Sequence, residues 1–145
     1  MASIDVSAEI EISASPADIA GVMFDPEREP DWVKAVTGVE LVDPALEPGA
    51  RVRRVGAFLG QELAWTTQVE AVHFPHVLAL RIIEGPFSGT VRYDIQRSAG
   101  GSRVRIRSVG EVTRPVLAPA ALISGPMKAA MAADLERLKQ LVEDQ

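Results

Sequence analysis

From residue 4 to residue 12 apolar and polar positions alternate. Ile4, Val6, Ala8, Ile10 and Ile12 share one face, and Asp5, Ser7, Glu9 and Glu11 share the other. A period of two with one wet side predicts a half-buried strand of an antiparallel sheet. The period then changes. Ser15 suits a helix N-cap and Pro16 the first helical position, and Ile19, Val22 and Met23 recur at helical spacing. Pro26 ends this short helix near Phe24 or Asp25, because the residue before a proline avoids the helical conformation. After Pro30, the run "DWVKAV" has room for one or two helical turns, with Trp32, Val33 and Val36 on their apolar side.

Between Thr37 and Thr113 the pattern is almost entirely strand. "TGVELVDP" is short and runs into turn material, "PALEPGA". "ARVRRVGAFLGQELAWTTQVEAV" reads as two strands joined near Gly60, the second placing Leu63, Trp65, Thr67, Val69 and Ala71 on one face. "HFPH" turns the chain into "VLALRIIE". "GPFSG" turns it again into "TVRYDIQ", where Val91, Tyr93 and Ile95 point together. "SAGGS" is a two-glycine hairpin leading to "RVRIRSVGEV", whose inward set is Val104, Ile106, Ser108, Gly110 and Val112. The chain ends in helix. "APAALIS" is compatible with one, Gly125-Pro126 interrupts or restarts it, and Met127, Ala130, Met131, Leu135, Leu138 and Val142 line one side of the final stretch. Lys128, Glu136, Lys139 and Glu143 mark its wetter side. Strands joined by short turns predict an antiparallel meander, and the fold class is α+β.

A chain of 145 residues has the size of one domain, here residues 1–145, and can close a core without metal or disulfide. It has no cysteine, which excludes thiol chemistry and fits a cytoplasmic protein. No apolar run is long enough to span a membrane, and the first ten residues lack the basic and apolar blocks of a signal peptide. The net charge of −5 sets no field favouring nucleic acid. Arg51, Arg53, Arg81, Arg92, Arg103, Arg105 and Arg107 read as a solvated face, offset by cross-strand partners such as Asp94 and Glu111. Docking of another protein on that strip is the least favoured function.

The order of these pieces resembles the START-like superfamily, and within it the polyketide cyclase/dehydrase type, also called SRPBCC. The residues that carry the likeness are "EIEISASPADIAGVMFDPEREPDWV", Pro48-Gly49, "VEAVHFPHVLAL", "GTVRYDIQ", "GGSRVRIR" and "DLERLKQLVE", spread over nearly the whole chain. The resemblance implies a helix-grip fold. In it a curved antiparallel sheet of about seven strands surrounds the long C-terminal helix, and two short helices after the first strand close one end. It also implies a cavity for an apolar molecule between helix and sheet.

Two functions are weighed within that frame. The first is binding of a small hydrophobic molecule such as a lipid, a polyketide or an isoprenoid-like compound, without catalysis. The second is an aromatase/cyclase or dehydratase acting on a polyketide-like chain in the same cavity. The expected ligand-binding residues are Trp65, Thr67, Tyr93, Ser108, Gly110, Met127, Ala130 and Met131. Ser108 and Gly110 leave volume, and the methionines adapt to irregular guests. Either Arg53 or Arg54 could point inward, and alternation leaves both open; for the enzyme, the resemblance implies that an inward arginine and a hydroxyl steer enolisation, with one of these arginines and Tyr93 as the candidates. An inward arginine needs a partner. Trp32 is expected as a core anchor at the closed end. His73 and His76 sit in a turn, where solvation is the plainer reading. No catalytic constellation, metal-ligand spacing or cofactor motif emerges, and the pattern leaves monomer and dimer equally open.

Overall fold

A computed structural model describes residues 2–113 and 120–145, so Ala118 and Pro119 of the expected helical stretch lie outside the described residues. Seven strands form one antiparallel sheet: β1 (Ala2–Ile12), β2 (Val36–Leu41), β3 (Arg51–Phe58), β4 (Gln61–His73), β5 (Val77–Glu84), β6 (Phe87–Ser98) and β7 (Gly101–Val112). Their order across the sheet is β1-β7-β6-β5-β4-β3-β2. The last six form a meander, and β1 is added at the far edge beside β7. Helices α1 (Pro16–Met23) and α2 (Glu29–Trp32) follow β1, separated by a turn of 3-10 helix at Pro26–Arg28. Helix α3 (Ala120–Glu143) closes the chain.

Local chemistry accounts for these limits. Ser15 Oγ accepts from the Asp18 amide and caps α1, and Pro16 occupies its first turn. Asp25 caps the 3-10 turn in the same way through the Glu27 amide. The second helix falls on both sides of Pro30 and stops at Trp32, earlier than the apolar run to Val36 suggested. Pro30 is tolerated because it lies in the first turn, where its missing N–H has no intrahelical partner to lose.

Three further expectations need correction. Helix α3 runs unbroken through Gly125 and Pro126. A proline deletes one backbone bond, and fully buried Ile123 before it and buried Met131 after it seat the helix on either side. Strand β6 begins at Phe87, within the segment expected to turn. In β4 the register shifts between Val69 and Ala71, so the inward face passes from Val69 to Val72, which lies opposite buried Leu78; Ala71 leaves that face.

The core holds the predicted stripes. Ile12, Ile19, Ile95, Val104, Ile123, Leu135 and Leu138 are essentially inaccessible to solvent. Each such side chain contributes roughly 1.5–3 kcal/mol by leaving water. Helix α3 packs mainly along β1, with lesser contacts to β7, α1 and α2. Because it leans on one edge, its middle turns face the central strands across a gap. The protein is a helix-grip fold with a hollow under the helix.

Candidate functional site

The hollow has a volume of about 190 Å³. Helix α3 contributes Met127, Ala130, Met131 and Asp134, and the sheet contributes Trp65, Val91, Ser108 and Gly110 among others. No residue in its wall is exposed. The walls are mainly apolar, with Ser108, Asp134 and Trp65 as polar members. Ser88 and Glu111, paired with each other across β6 and β7, alternate with core-facing Phe87 and Val112, so their side chains turn to the outer face. Six of the eight residues expected at a ligand site therefore border one cavity: Trp65, Ser108, Gly110, Met127, Ala130 and Met131.

Gly110 is small for a reason beyond leaving volume. It pairs with Gly89 across β6 and β7, and a Cβ built on it would come within 1.7 Å of the Ser88 carbonyl oxygen. Gly89 has a φ of +118°, a conformation that favours glycine. The two strands approach so closely here that neither position has room for a side chain.

Thr67 and Tyr93 lie outside that wall, in a second region under α1 and α2. The alternation in "RVRRV" resolves here. Arg54 points inward and is 3% exposed, whereas Arg53 is exposed and paired with Glu40 at 2.8 Å. Arg54 Nε donates to both carboxylate oxygens of Glu29 at 2.9 Å, and its Nη1 donates to Thr67 Oγ1. A buried guanidinium thus has a carboxylate and a hydroxyl to satisfy it, and the Thr67 hydroxyl is committed to that arginine. Tyr93 stands between Phe24 and Trp32, with ring centroids 6.4 and 6.0 Å away. With Glu29 and Arg54 it borders a pocket of about 10 Å³, room for about one water molecule. Burial raises the pKa of its phenol, and the Glu29 charge adds to that. Trp32 is 1% exposed, as expected of a core anchor.

Helix α2 is also tied to α3. Arg137 Nε donates to the Trp32 carbonyl at 3.0 Å, and Asp134 Oδ1 accepts from the Lys34 amide at 3.2 Å and from Arg137 Nη2. Burial pushes the Asp134 carboxyl above its ordinary value, opposed by the Lys34 amide and Arg137. Sequence reasoning missed both Asp134 and Glu29. Asp134 had a signal, since it interrupts the apolar stripe three residues after Met131; Glu29, between two prolines, had none.

A third hollow, of about 250 Å³, lies between α1 and residues 43–46. It is larger, but it is a surface cleft: exposed Gly21, Glu27, Pro44, Ala45 and Phe74 all border it. The cavity under α3, half-open but with a more apolar wall and no exposed residue in it, is the better candidate for holding an apolar guest. The histidines stand apart from it: His73 is exposed, and His76 Nδ1 donates to the Ile95 carbonyl at 2.8 Å. Among the described residues there is no group of three or more potential metal ligands, and no helix is long and apolar enough to cross a membrane.

Solved structures share this architecture. A START superfamily protein from Mycobacterium smegmatis superposes with a TM-score of 0.82 at 19% identity, over 97% of each chain. TTHA0849 from Thermus thermophilus gives 0.80 at 24% identity, also over 97% of each chain. The Zhui aromatase/cyclase from a Streptomyces species gives 0.77 at 17% identity, over 97% of this chain and 94% of that one. At such identities the likeness is one of fold. No curated protein sequence matches. The family described as "Polyketide cyclase / dehydrase and lipid transport" matches residues 3–143, and the chain belongs to that family.

Proposed function

We propose that the protein binds a small hydrophobic molecule in the cavity between α3 and the sheet. The observation that carries this reading is the half-open, mainly apolar hollow of about 190 Å³, with no exposed residue in its wall. Its size bears on the guest. An apolar cavity of roughly 150 Å³ admits benzene, and drug-sized ligands occupy roughly 300–1,000 Å³. A one-ring or compact two-ring molecule fits as the walls stand, whereas a long-chain lipid would have to leave much of itself outside. Met127 and Met131 lend the wall some adaptability. A cytoplasmic location accords with a chain free of cysteine.

The test is titration of the purified protein with a fluorescent apolar probe, followed by displacement with one-ring and two-ring competitors. Saturable binding that is lost in Ala130→Trp, which fills the hollow, is the expected result. Probe fluorescence that never saturates would remove the proposal.

A second reading, aromatase/cyclase or dehydratase action, is favoured by the buried Arg54 and Tyr93 bordering one small pocket, and by the family's description. Against it, both residues border the one-water pocket, not the larger cavity, and Arg54 is occupied by Glu29 and Thr67. Product analysis with a poly-β-keto substrate decides it. Equal cyclisation with and without protein, or with Tyr93→Phe in place of the wild type, ends this reading.

A further inference from the structure

Two serines of β7 are buried, and only one of them is satisfied. Ser102 is inaccessible to solvent, and its hydroxyl donates to the Ala14 carbonyl at 2.8 Å. Ser108 is 8% exposed and borders the cavity under α3, yet among the described residues its hydroxyl has no hydrogen-bond partner. Register fixes its direction. Ser108 alternates with exposed Arg107 and Val109, and it stands opposite Val6 of β1 and Val91 of β6, on the face that holds the core. Ile106, the preceding residue on that face, is buried and takes no part in the wall, so Ser108 marks one end of the cavity along β7.

Neither the neighbouring polar group nor the need for space accounts for this hydroxyl. Asp134 is committed to the Lys34 amide and to Arg137. An alanine at position 108 would leave more room and bring no polar atom. A hydroxyl buried without a partner is destabilising, since it gives up water and receives nothing in return. Water that enters the hollow serves it, but a hydrocarbon guest expels that water and leaves the oxygen bare. A guest that bonds the hydroxyl removes the penalty. Resting on the proposal that the cavity binds a ligand, we infer that Ser108 is its polar anchor, and that the guest is a compact one-ring or two-ring molecule whose neutral carbonyl or hydroxyl oxygen meets Ser108. A serine hydroxyl both donates and accepts, so it serves either kind of oxygen. The hydrocarbon part of the guest then lies along the apolar remainder of the wall.

The experiment uses one-ring compounds in two matched pairs, acetophenone with α-methylstyrene and 1-phenylethanol with cumene, as competitors of a fluorescent apolar probe. Within each pair an oxygen replaces a carbon group of similar shape, so the ratio of the two affinities cancels any general effect of a variant on the cavity. In Ser108→Ala the oxygen compound of at least one pair should lose about fivefold relative to its hydrocarbon partner. Loss in the acetophenone pair identifies a carbonyl guest, and loss confined to the alcohol pair a hydroxyl guest. Ser108→Cys, close to serine in size and poor at hydrogen bonding, should change the ratios in the same direction. Without ligand, Ser108→Ala should unfold at the wild-type temperature or above it. Ratios unchanged in both variants overturn the inference and leave cavity binding intact. A clear loss of stability in ligand-free Ser108→Ala, up to failure to fold, also overturns it, because the hydroxyl would then have a structural partner. Binding of the oxygen compounds that survives Ala130→Trp overturns it by placing the guest elsewhere. Failure of all four compounds and of the probe removes the cavity reading itself, and this inference with it.

Discussion

Arginine meets carboxylate on both faces of this sheet, and the two settings give the same pair different weight. On the outer face β1 and β7 place Glu11 opposite Arg103 and Glu9 opposite Arg105, while Asp5 reaches Arg107 diagonally, and each couple forms an ion pair with both partners well exposed. On the inner face Arg54 and Glu29 pair with side-chain exposures of only 4% and 10%. Water and salt screen the outer pairs, so each is individually dispensable. The inner pair has left water, and either member alone would be a buried charge without compensation. The outer pairs decorate an edge, whereas the inner one joins α2 to the sheet.

The strongest challenge to that contrast is Arg54→Ala. It should cost about 3–5 kcal/mol in urea unfolding, and the double change Arg54→Met with Glu29→Leu should recover most of the loss. A mild single variant would erase the distinction between the faces. Next comes Ala130→Trp in the absence of ligand. In a filled core such an insertion costs about 1–3 kcal/mol, so a smaller loss of stability supports a real hollow.

The two faces also differ in the sign of their pH dependence. Arg107 and Arg51 hold Asp5 and Asp43 below the ordinary 3.8, and Ser98, followed by Arg103, holds Glu11 below 4.5. Their folded pKa values are depressed, so their contribution is present above the ordinary values and vanishes as pH falls through the folded ones. Asp134 runs the other way. Its folded value is raised above 3.8, so the stability it contributes is present below 3.8 and lost as pH rises through the raised value. Asp134→Asn should therefore steepen the rise in stability between pH 3.8 and neutrality, and Asp5→Asn should flatten the acid limb. Unfolding curves at a series of pH values check both slopes. The smallest effect belongs to Arg107→Ala, whose unfolding midpoint should match the wild type in about 1 M salt and differ only slightly at low ionic strength.

Most of the fold was legible because alternation and turn chemistry agree along the chain. β1 and β7 show it cleanly, as does the hairpin that pairs Ser98 with Gly101. The failures have local physical causes. A bulge in β4 changed the phase after Val69, which no alternation rule foresees. The pattern "RVRRV" has valines in opposite phases, so only the partner lying on α2 decides that Arg54 turns inward. The ion-pair partners of Arg103, Arg105 and Arg107 came from β1, where Asp94 and Glu111 had been expected, and Asp94 pairs with Arg92 instead, because register is a property of pairing and not of spacing. At the cavity, small and adaptable residues were readable one by one. The exclusion of Tyr93 and Thr67 was not, since it depends on where α1 and α2 settle against the sheet.

The seating of α3 along β1 has a consequence for how the molecule is made. The first strand and the final helix complete each other, while everything between them is a meander that pairs neighbour with neighbour. The middle can therefore assemble from near contacts, but the two ends must find one another across almost the full length of the chain, a closure with a large entropic cost and a slow rate. During synthesis the apolar side of β1 waits for a helix encoded more than a hundred residues later. Until that helix emerges, this strand is a sticky edge that the cell has to tolerate.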